Sequence, residues 1–250
     1  FGQFIAMIVG NANDKLEQSR ENLSRALLAN YIGAKLVTTG NLIEDSGSVV
    51  HLLTEYNTLT GLELTATSVY QPANFGPFMR WVYSRIASLS ALLTERMVKF
   101  HVNPTVNNVA KPIMRHVPYE RQRVYLYAPT QFQTEARVLA DAFHDNYLRY
   151  ADVETVNFWQ SINSPDSINV TPAYLVPSGN SIGTIAKGSA VNKSGIFAVV
   201  MDRDACGMTN VNEWSDTIWN PVGGYTNWVF HTTARYWNSF TENAVVFTLD

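Results

Sequence analysis

The sequence is poor in cysteine and in charge, and both scarcities limit what the protein can be. Its 250 residues include one cysteine, Cys206, so a disulfide within the chain, a CxxC redox pair and a cysteine-based zinc site are all excluded. Only 16% of the residues are charged, whereas about one quarter is usual in globular proteins. Polar surface must therefore come from uncharged amide and hydroxyl side chains, which cost less to bury than ions. This composition suits packing against other copies of the chain, and it also suits a neutral monomer.

A basic excess and a long apolar run are missing as well. The formal net charge is −3 at pH 7, whereas proteins that bind nucleic acid through its phosphates normally carry a positive excess. The charge therefore argues against tight, direct DNA binding.

No apolar run approaches the roughly 18–20 residues that span a bilayer, and Phe1–Gly10 lacks the basic leader of a signal peptide. Because the chain starts with Phe1, we expect it to be processed or cut from a longer polypeptide.

Two long helices are predicted in the first half of the chain. Apolar residues recur at spacings of three, four or seven from Phe4 to Tyr31, which predicts a long amphipathic helix with Gly33 as its stop signal. A second helix is predicted to begin within Pro72–Pro77. Its apolar face comprises Phe78, Val82, Ile86, Leu89, Leu93, Met97 and Phe100.

Shorter elements follow from turn and capping residues. The stretch "SVVHLLTEYNTLTG" predicts a helix capped by Ser48 and ended by Gly61. After it, "LELTATSVY" predicts a strand, and later "TQFQTEARVLADAFH" predicts an amphipathic helix. Between these two, a proline-punctuated stretch predicts a crossing between two lobes. Its prolines are Pro104, Pro112 and Pro118.

The second half of the chain reads mainly as strands. Four stretches, "RVYLYA", "VETVNFW", "SINVTPAYL" and "GIFAVVMD", are rich in β-branched and aromatic residues and predict strands. The Gly- and Ser-rich "VPSGNSIGTIAKGSAVNKSG" predicts an exposed loop. From Thr226 to Tyr236 the side chains alternate, which predicts a long half-buried strand. The closing "AVVFTL" is apolar on both faces, as in a central strand.

The histidines show no metal-binding pattern. None of them forms HxH, HExxH or another ligand spacing, which leaves only a site built from residues distant in sequence. The five histidines are His51, His101, His116, His144 and His231.

Two acidic residues beside the cysteine are the main candidates for chemistry. Asp202 and Asp204 could be paired carboxylates, and Cys206 could be a nucleophile that uses a distant histidine. The alternative, which we favour, is a strand end that turns outward, with Arg203 countering the two acids. No phosphate loop is predicted, because Lys187, Gly188 and Ser189 stand in the order Lys-Gly-Ser and not Gly-Lys-Ser.

Aromatic residues admit two interpretations. The stripe Trp228, Phe230 and Tyr236 could be a platform for sugars or bases, but we favour the buried core face of the closing ribbon. Nothing assembles a nucleophile, a base and oxyanion donors, so the sequence gives no positive support for an enzyme. We assign no catalytic, cofactor-binding or metal residue.

Four stretches resemble one family in the same order. They are "LLTEYNTLTG" (Leu52–Gly61), "FHDNYLRYADVETVNFWQ" (Phe143–Gln160), "GIFAVVMDRDACG" (Gly195–Gly207) and the closing "WNPVGGYTNWVFHTTARYWNSFTENAVVF". In these stretches the chain resembles major capsid proteins of tailed bacteriophages, in particular those of small short-tailed phages and their gut-phage relatives. Each stretch is weakly specific, and their shared order carries the resemblance.

The resemblance implies an α+β chain with the Hong Kong ninety-seven-type capsid fold. Residues 1–32 would be the spine helix, residues 1–116 mainly the peripheral domain, and residues 117–250 mainly the axial domain. The closing β-ribbon, residues 225–249, would tie the two lobes together. The family's N-terminal arm and extended loop precede the spine helix, so we expect this chain to be the C-terminal portion of a longer one. No cross-linking lysine or asparagine is carried over.

The function implied is that of a non-enzymatic, cofactor-free major capsid protein. It would self-assemble through hexamers and pentamers into the icosahedral shell of a virion, around double-stranded DNA that it does not bind specifically. Portal, scaffold and decoration proteins are further candidate partners, no membrane is involved, and assembly is expected in the host cytoplasm. Two alternatives stay open: an encapsulin-type nanocompartment shell, and a carbohydrate-binding or hydrolytic globular protein.

Overall fold

The computed structural model of the chain describes residues 2–37, 48–96, 105–106, 109–110, 114–134, 153–178 and 181–250. It divides into two compact units. The first, called here the ribbon unit, consists of Phe1–Leu27 and Cys206–Asn238. The second, the core unit, consists of Leu28–Ala205 and Ser239–Asp250.

Four helices and thirteen strands are described in these ranges. The helices are α1 (Gly2–Leu36), α2 (Leu52–Thr60), α3 (Pro72–Leu93) and α4 (Ala128–Thr134). The first strands are β1 (Val49–His51), β2 (Thr105–Val106), β3 (Val109–Ala110), β4 (Gln122–Tyr127), β5 (Val153–Val156), β6 (Ile168–Val170), β7 (Ala173–Ser178) and β8 (Ser181–Lys187). The remaining strands are β9 (Val191–Lys193), β10 (Ile196–Asp202), β11 (Cys206–Asn220), β12 (Tyr225–Asn238) and β13 (Ala244–Thr248).

A five-stranded sheet forms the centre of the core unit, in the order β1-β13-β10-β4-β5. The pairs β1–β13 and β4–β5 are parallel, whereas β10 is antiparallel to both of its neighbours. Every residue of β10 and β13 is buried, which confirms the prediction that "AVVFTL" is an internal strand. The predicted strands at "RVYLYA", "VETVNFW" and "GIFAVVMD" are confirmed as β4, β5 and β10, and "SINVTPAYL" contributes to both β6 and β7.

Helix α3 supplies most of the helical part of this core. The predicted apolar face is buried where it is described, through Phe78, Val82, Ile86, Leu89 and Leu93. These side chains belong to one hydrophobic cluster with residues of β4, β10 and β13. The period-3.6 pattern therefore predicted both the helix and its buried side. Met97 and Phe100 lie outside the described residues.

The predicted end of the first helix at Gly33 is wrong. Helix α1 continues to Leu36, and Gly33 lies buried inside it. A Cβ atom at Gly33 would be 2.5 Å from Cγ2 of Val170 and 3.3 Å from Cβ of Pro172. Gly33 thus serves the close approach of a strand to the helix and not the left-handed turn that ends a helix.

The predictions around the second helix are partly wrong. Residues 49–51 pair with β13 as a strand, so helix α2 begins at Leu52 and Ser48 does not cap it. The predicted end at Gly61 is confirmed, with φ at +71°. The stretch "LELTATSVY" is not a strand, because the side chain of Asn57 binds both the N–H and the C=O of Leu64 (3.0 and 2.8 Å). It then forms a short 3-10 turn over Ser68–Tyr70.

The remaining predictions concern the segment between β6 and β10 or residues that the structure does not describe. The Gly- and Ser-rich stretch predicted as a loop contains an antiparallel hairpin of β7 with β8, so that prediction is wrong. The helix predicted at "TQFQTEARVLADAFH" is described only as α4. In the predicted crossing after Val102, Pro104 and Pro112 lie outside the described residues, whereas Pro118 is described and precedes a 3-10 turn at Tyr119–Arg121.

Candidate functional site

Within the described residues, many exposed large apolar side chains lie on the ribbon, defined here as β11 paired antiparallel with β12 from Cys206–Asn238 to Asn220–Tyr225. Strand β12 confirms the strand predicted for the closing sequence, but the predicted half-burial is wrong for its outer part, where every residue from Tyr225 to Thr233 is exposed. Strand β11 was missed, because its residues are mostly polar and a bulge between Asn210 and Asn212 breaks the period of two. Only the spacing of Trp214 and Ile218 signalled it.

The tip of the ribbon is a turn held by Asn220. Its Oδ1 accepts hydrogen bonds from the backbone N–H groups of Val222 and Gly223, both at 3.1 Å. Gly224 has φ at +64°, a conformation that side chains disfavour. Val222 is therefore fixed at the tip, where it is 97% exposed.

Side chains of paired residues point to the same side of a two-stranded sheet, so the register defines two faces. The helix-side face carries Glu213 and Thr232, and both accept hydrogen bonds from the guanidinium of Arg20 on α1. On the same face, Asn238 donates to the carbonyl of Leu27 at 3.3 Å. The opposite face is called the open face, because within the described residues no element of the ribbon unit lies against it.

The helix-side face is covered only near its base. The exposure of β12 alternates there, and Ala234, Tyr236 and Asn238 are partly covered. Farther out, Trp228 is 55% and Phe230 is 54% exposed. The prediction that Trp228, Phe230 and Tyr236 form a core face is therefore wrong for the two outer residues. Alternation revealed the strand, but it could not reveal how far α1 covers it.

The open face carries large apolar side chains among polar ones. Trp214 stacks on His231 directly across the ribbon, with ring centroids 5.3 Å apart and an interplanar angle of 28°. Gly207 lies opposite Trp237, and a Cβ at Gly207 would be 2.4 Å from Cζ2 of that indole. The large apolar side chains of this face, all exposed, are Trp214, Ile218, Tyr225, Val229 and Trp237.

The first turns of helix α1 are also apolar and exposed. Residues 2–13 contain no charged residue. Phe4, Met7 and Ile8 lie at spacings of three and four, so they share one side of the helix, and each is about half exposed. The predicted apolar stripe is thus real in sequence, but in the single chain only its C-terminal end, near Tyr31, is buried.

Asp202 and Asp204 form an ion-pair cluster with Arg121. Asp202 is buried, and Nη2 of Arg121 binds its two carboxylate oxygens at 3.0 and 2.9 Å and Oδ2 of Asp204 at 2.9 Å. The hydrogen bond to Asp202 raises the pKa of Arg121. The preferred interpretation of a structural turn is supported, but the countering cation is Arg121 and not Arg203. Cys206, half-buried, starts β11.

The described histidines are dispersed. Nδ1 of His51 lies 3.3 Å from Oδ1 of Asp250, and His116 receives the Nε–H of Arg96 at 3.4 Å. Burial alone would raise the pKa of Asp250, but its bonds to Lys193, Thr248 and His51 prevail and lower it to about 2. His101 and His144 lie outside the described residues. In the described ranges, no group of three metal-ligating side chains comes together.

The stretch Lys187, Gly188 and Ser189, considered above as a phosphate loop, lies at the end of strand β8, where Gly188 packs against other residues. Lys187 ends β8, and the N–H of Gly188 donates to the carbonyl of Pro172 at 3.0 Å. The ring of Tyr174 covers Gly188, where a Cβ would lie 2.3 Å from Cε1.

Among the helices in the described ranges, none combines the length and the hydropathy that crossing a bilayer requires.

Sequence reasoning missed one charged residue in the core unit. Lys35, in the last turn of α1, is buried, and its Nζ donates to the carbonyl of Glu242 at 2.9 Å. The same Nζ lies 5.2 Å from the ring centroid of Tyr31, whose hydroxyl donates to the same carbonyl at 3.0 Å. Desolvation lowers the pKa of Lys35 to about 7, although the Glu242 carboxylate opposes the shift. That carboxylate also pairs with Arg115 at 2.5 Å.

Comparison with solved structures places this fold among phage particles. A chain in the capsid structure of Staphylococcus phage Andhra is similar, with a TM-score of 0.53 and 10% identity, over 99% of this chain and 64% of that one. A chain in the structure of the head fiber and inner core protein gp22 of native bacteriophage P68 is similar with a TM-score of 0.54 and 8% identity. That match covers 100% of this chain and 65% of the other. This chain thus spans slightly less than two thirds of the length of either.

Comparison at the level of sequence gives the family. No curated protein matches the sequence significantly. The family model described as Phi29-like phage major capsid protein matches residues 1–248, which confirms the resemblance seen in the four sequence stretches. The chain therefore belongs to the Phi29-like phage major capsid protein family.

Proposed function

We propose that this chain is the shell-forming part of a major capsid protein, which assembles with copies of itself into the icosahedral head around a phage double-stranded DNA genome. The observation that carries the proposal is the family match over residues 1–248. The exposed apolar surface of the ribbon supports it, because a protein that stays monomeric rarely exposes so much. Its role is structural, with no catalytic group or cofactor.

In this proposal the fold is of the Hong Kong ninety-seven type. Helix α1 is the spine helix, residues 1–116 form mainly the peripheral domain, and residues 117–250 form mainly the axial domain. The closing segment, residues 225–249, joins the peripheral and axial domains. The length of α1 supports this assignment, since its 35 residues exceed the mean of about 11–12 for globular proteins.

The proposed partners are other copies in hexamers and pentamers, with portal, scaffold and decoration proteins as additional partners in the host cytoplasm. Ring-shaped capsomers need heterologous contacts, in which one surface meets a different surface of the next copy until the ring closes. The net charge of −3 supports a shell that does not grip its DNA strongly.

Electron microscopy of the expressed full-length polypeptide tests the proposal. We expect large closed particles. A species that remains monomeric under all assembly conditions would contradict it and would favour the carbohydrate-binding or hydrolytic alternative. Closed particles of one size that enclose proteins and never package DNA in infected cells would favour the encapsulin-type nanocompartment.

A further inference from the structure

The turn Ser239–Asn243 joins β12 to β13 along the chain, and the last turns of α1 bind its middle. The hydroxyl of Tyr31 and Nζ of Lys35 both donate to the carbonyl of Glu242, at 3.0 and 2.9 Å. The ring of Tyr31 also stacks on Phe240, with ring centroids 6.4 Å apart and an interplanar angle of 15°. All four of these side chains are more than nine-tenths buried. Helix α1 therefore holds the turn mainly through one buried carbonyl oxygen and one aromatic contact.

The two ends of the same turn are held independently of α1. At its start, the N–H of Ser239 donates to the carbonyl of Ala205 at 2.7 Å. At its end, Nδ2 of Asn243 donates to the carbonyl of Arg115, and the N–H of Asp202 donates to the carbonyl of Asn243, both at 3.1 Å. Loss of the bonds from α1 would therefore free the middle of the turn while both of its ends stay attached, so the turn can open without unfolding the central sheet.

The charges around this contact do not balance when Lys35 is protonated. The carboxylate that attracts Lys35 is that of Glu242, and its Oε1 already pairs with Nη1 of Arg115 at 2.5 Å. The next cation that acts on Glu242 is Arg121, which is itself paired with two carboxylates, those of Asp202 and Asp204. A neutral Lys35 leaves Glu242 and Arg115 as a balanced pair, whereas a protonated Lys35 adds a positive charge that has no carboxylate of its own. A buried charge of this kind is costly.

Opening of the turn relieves this cost, because water then reaches the amine. Burial lowers the pKa of Lys35 to about 7, although the carboxylate of Glu242 opposes the shift. In the closed state Lys35 is therefore neutral in alkaline solution and gains a proton only near neutrality. In an open, hydrated state its pKa returns toward the ordinary value of 10.5. Since the open state binds the proton more tightly, protonation of Lys35 favours opening.

We propose that Tyr31, Lys35 and the carbonyl of Glu242 form a pH-sensitive clasp on the turn Ser239–Asn243, which is closed in alkaline solution and opens more often as the pH falls to neutrality. In the closed state Tyr31 and Lys35 both donate to the carbonyl of Glu242. In the open state water replaces them, while Ser239 and Asn243 keep their own bonds. The clasp lies within the core unit, so it does not depend on the proposed shell function.

Amide hydrogen exchange of the unassembled full-length protein at pH 7 and pH 9 tests the clasp. The opening constant, which is the ratio of the observed to the intrinsic exchange rate, is compared between residues 239–243 and strand β4 of the central sheet. We expect the turn to have the larger opening constant at both pH values, and this constant to be about tenfold lower or less at pH 9 than at pH 7. Equal opening constants in the turn and in β4 would show that the turn opens only when the sheet unfolds, and would overturn the proposal. A constant for the turn that does not change with pH would also overturn it.

Two lysines of α1 provide a matched pair of variants for the same measurement. Lys35→Met removes the titrating amine of the clasp, whereas Lys15→Met changes an exposed lysine of the same helix. We expect the opening constant of the turn to become independent of pH in Lys35→Met and to keep its wild-type pH dependence in Lys15→Met. Wild-type pH dependence in Lys35→Met would assign the effect to another group and overturn the proposal.

Glu242→Gln gives an independent test that leaves Lys35 and the carbonyl at position 242 in place. Because the carboxylate of Glu242 raises the pKa of Lys35, its removal should move the change in the opening constant to lower pH. We expect the constant of the turn to fall more steeply between pH 6 and pH 7 in Glu242→Gln than in the wild type. The same pH profile in both proteins would show that this carboxylate does not act on the clasp, and would contradict the proposal.

Discussion

Lys35 shows how a single buried charge makes the stability of the core unit depend on pH. Its ammonium lies in the protein interior, and three groups surround it: the Tyr31 ring, the carbonyl of Glu242 and the Glu242 carboxylate, which Arg115 shares. Because burial disfavours the charged form, the pKa is lowered from 10.5 to about 7. The folded chain therefore binds fewer protons than the unfolded chain between these two values.

We expect the free energy of unfolding to rise as the pH increases from about 7 toward 10, because unfolding in this range requires Lys35 to bind a proton, which becomes less favourable as the proton concentration falls. Below the folded pKa this contribution is constant. Urea unfolding of the unassembled subunit at a series of pH values measures the slope. Lys35→Met should flatten it, whereas Lys187→Met, at an exposed lysine, should not. An unchanged slope in Lys35→Met would show that Lys35 titrates normally.

Alanine substitutions at two glycines of helix α1 separate the effect of helix propensity on stability from the effect of packing. Gly10 is exposed and has open space around it, so Gly10→Ala should stabilise the chain by about 0.5–1 kcal/mol. Gly33→Ala should destabilise it by about 1–3 kcal/mol, because the new methyl group overlaps Val170. Chemical denaturation of both variants gives the two signs. Stabilisation by Gly33→Ala would mean that β6 moves aside easily.

At the scale of elements, the sequence predicted what local periodicity controls and failed where distant contacts decide. Helix α3 was predicted with its buried face, since its apolar residues belong to one hydrophobic cluster that includes the central strands. Strand β12 was predicted from its alternation, but the exposure of Trp228 depends on where α1 ends its cover. The strand predicted at residues 62–70 was lost to a tertiary detail, the double hydrogen bond of Asn57 to Leu64.

At the candidate site, too, features set by local sequence patterns could be predicted, whereas contacts between distant residues could not. The aromatic residues of the closing sequence could be identified in advance, because their spacing is local. Their partners across the ribbon could not, since β11 is polar and interrupted by a bulge. In the same way, the sequence placed Arg203 beside Asp202 and Asp204, whereas the cation that binds them, Arg121, comes from a distant part of the chain.

The ribbon and the core should differ in how much one aromatic residue contributes to stability. Phe78 is fully buried, so Phe78→Ala should cost about 3–5 kcal/mol of the free energy of unfolding. Trp228→Ala removes a side chain that is already half exposed, and we expect less than half of that loss in the unassembled subunit. Thermal and chemical unfolding of the two variants compare the losses. Equal losses would mean that the outer helix-side face is covered in solution.

At the scale of the whole molecule, assembly is expected to depend on packing surfaces and not on thiol chemistry. Cys206 begins β11 and pairs with Asn238 at the base of the ribbon, where serine has a similar size. Cys206→Ser should therefore give closed particles at the wild-type yield, as counted by electron microscopy. Loss of particles in this variant would assign the thiol a role in assembly.

The two-faced ribbon also has a consequence for the time between synthesis and incorporation. A newly made subunit presents Val222 at the ribbon tip and indole rings on both faces to the crowded cell. Under the proposed function, we expect aggregation to compete with assembly, because exposed apolar groups that attach a subunit to a growing shell can also attach it to misfolded chains. Synthesis rate, chaperone supply and the rate of shell growth must be matched, so a cell that makes this subunit too fast should accumulate inclusion bodies.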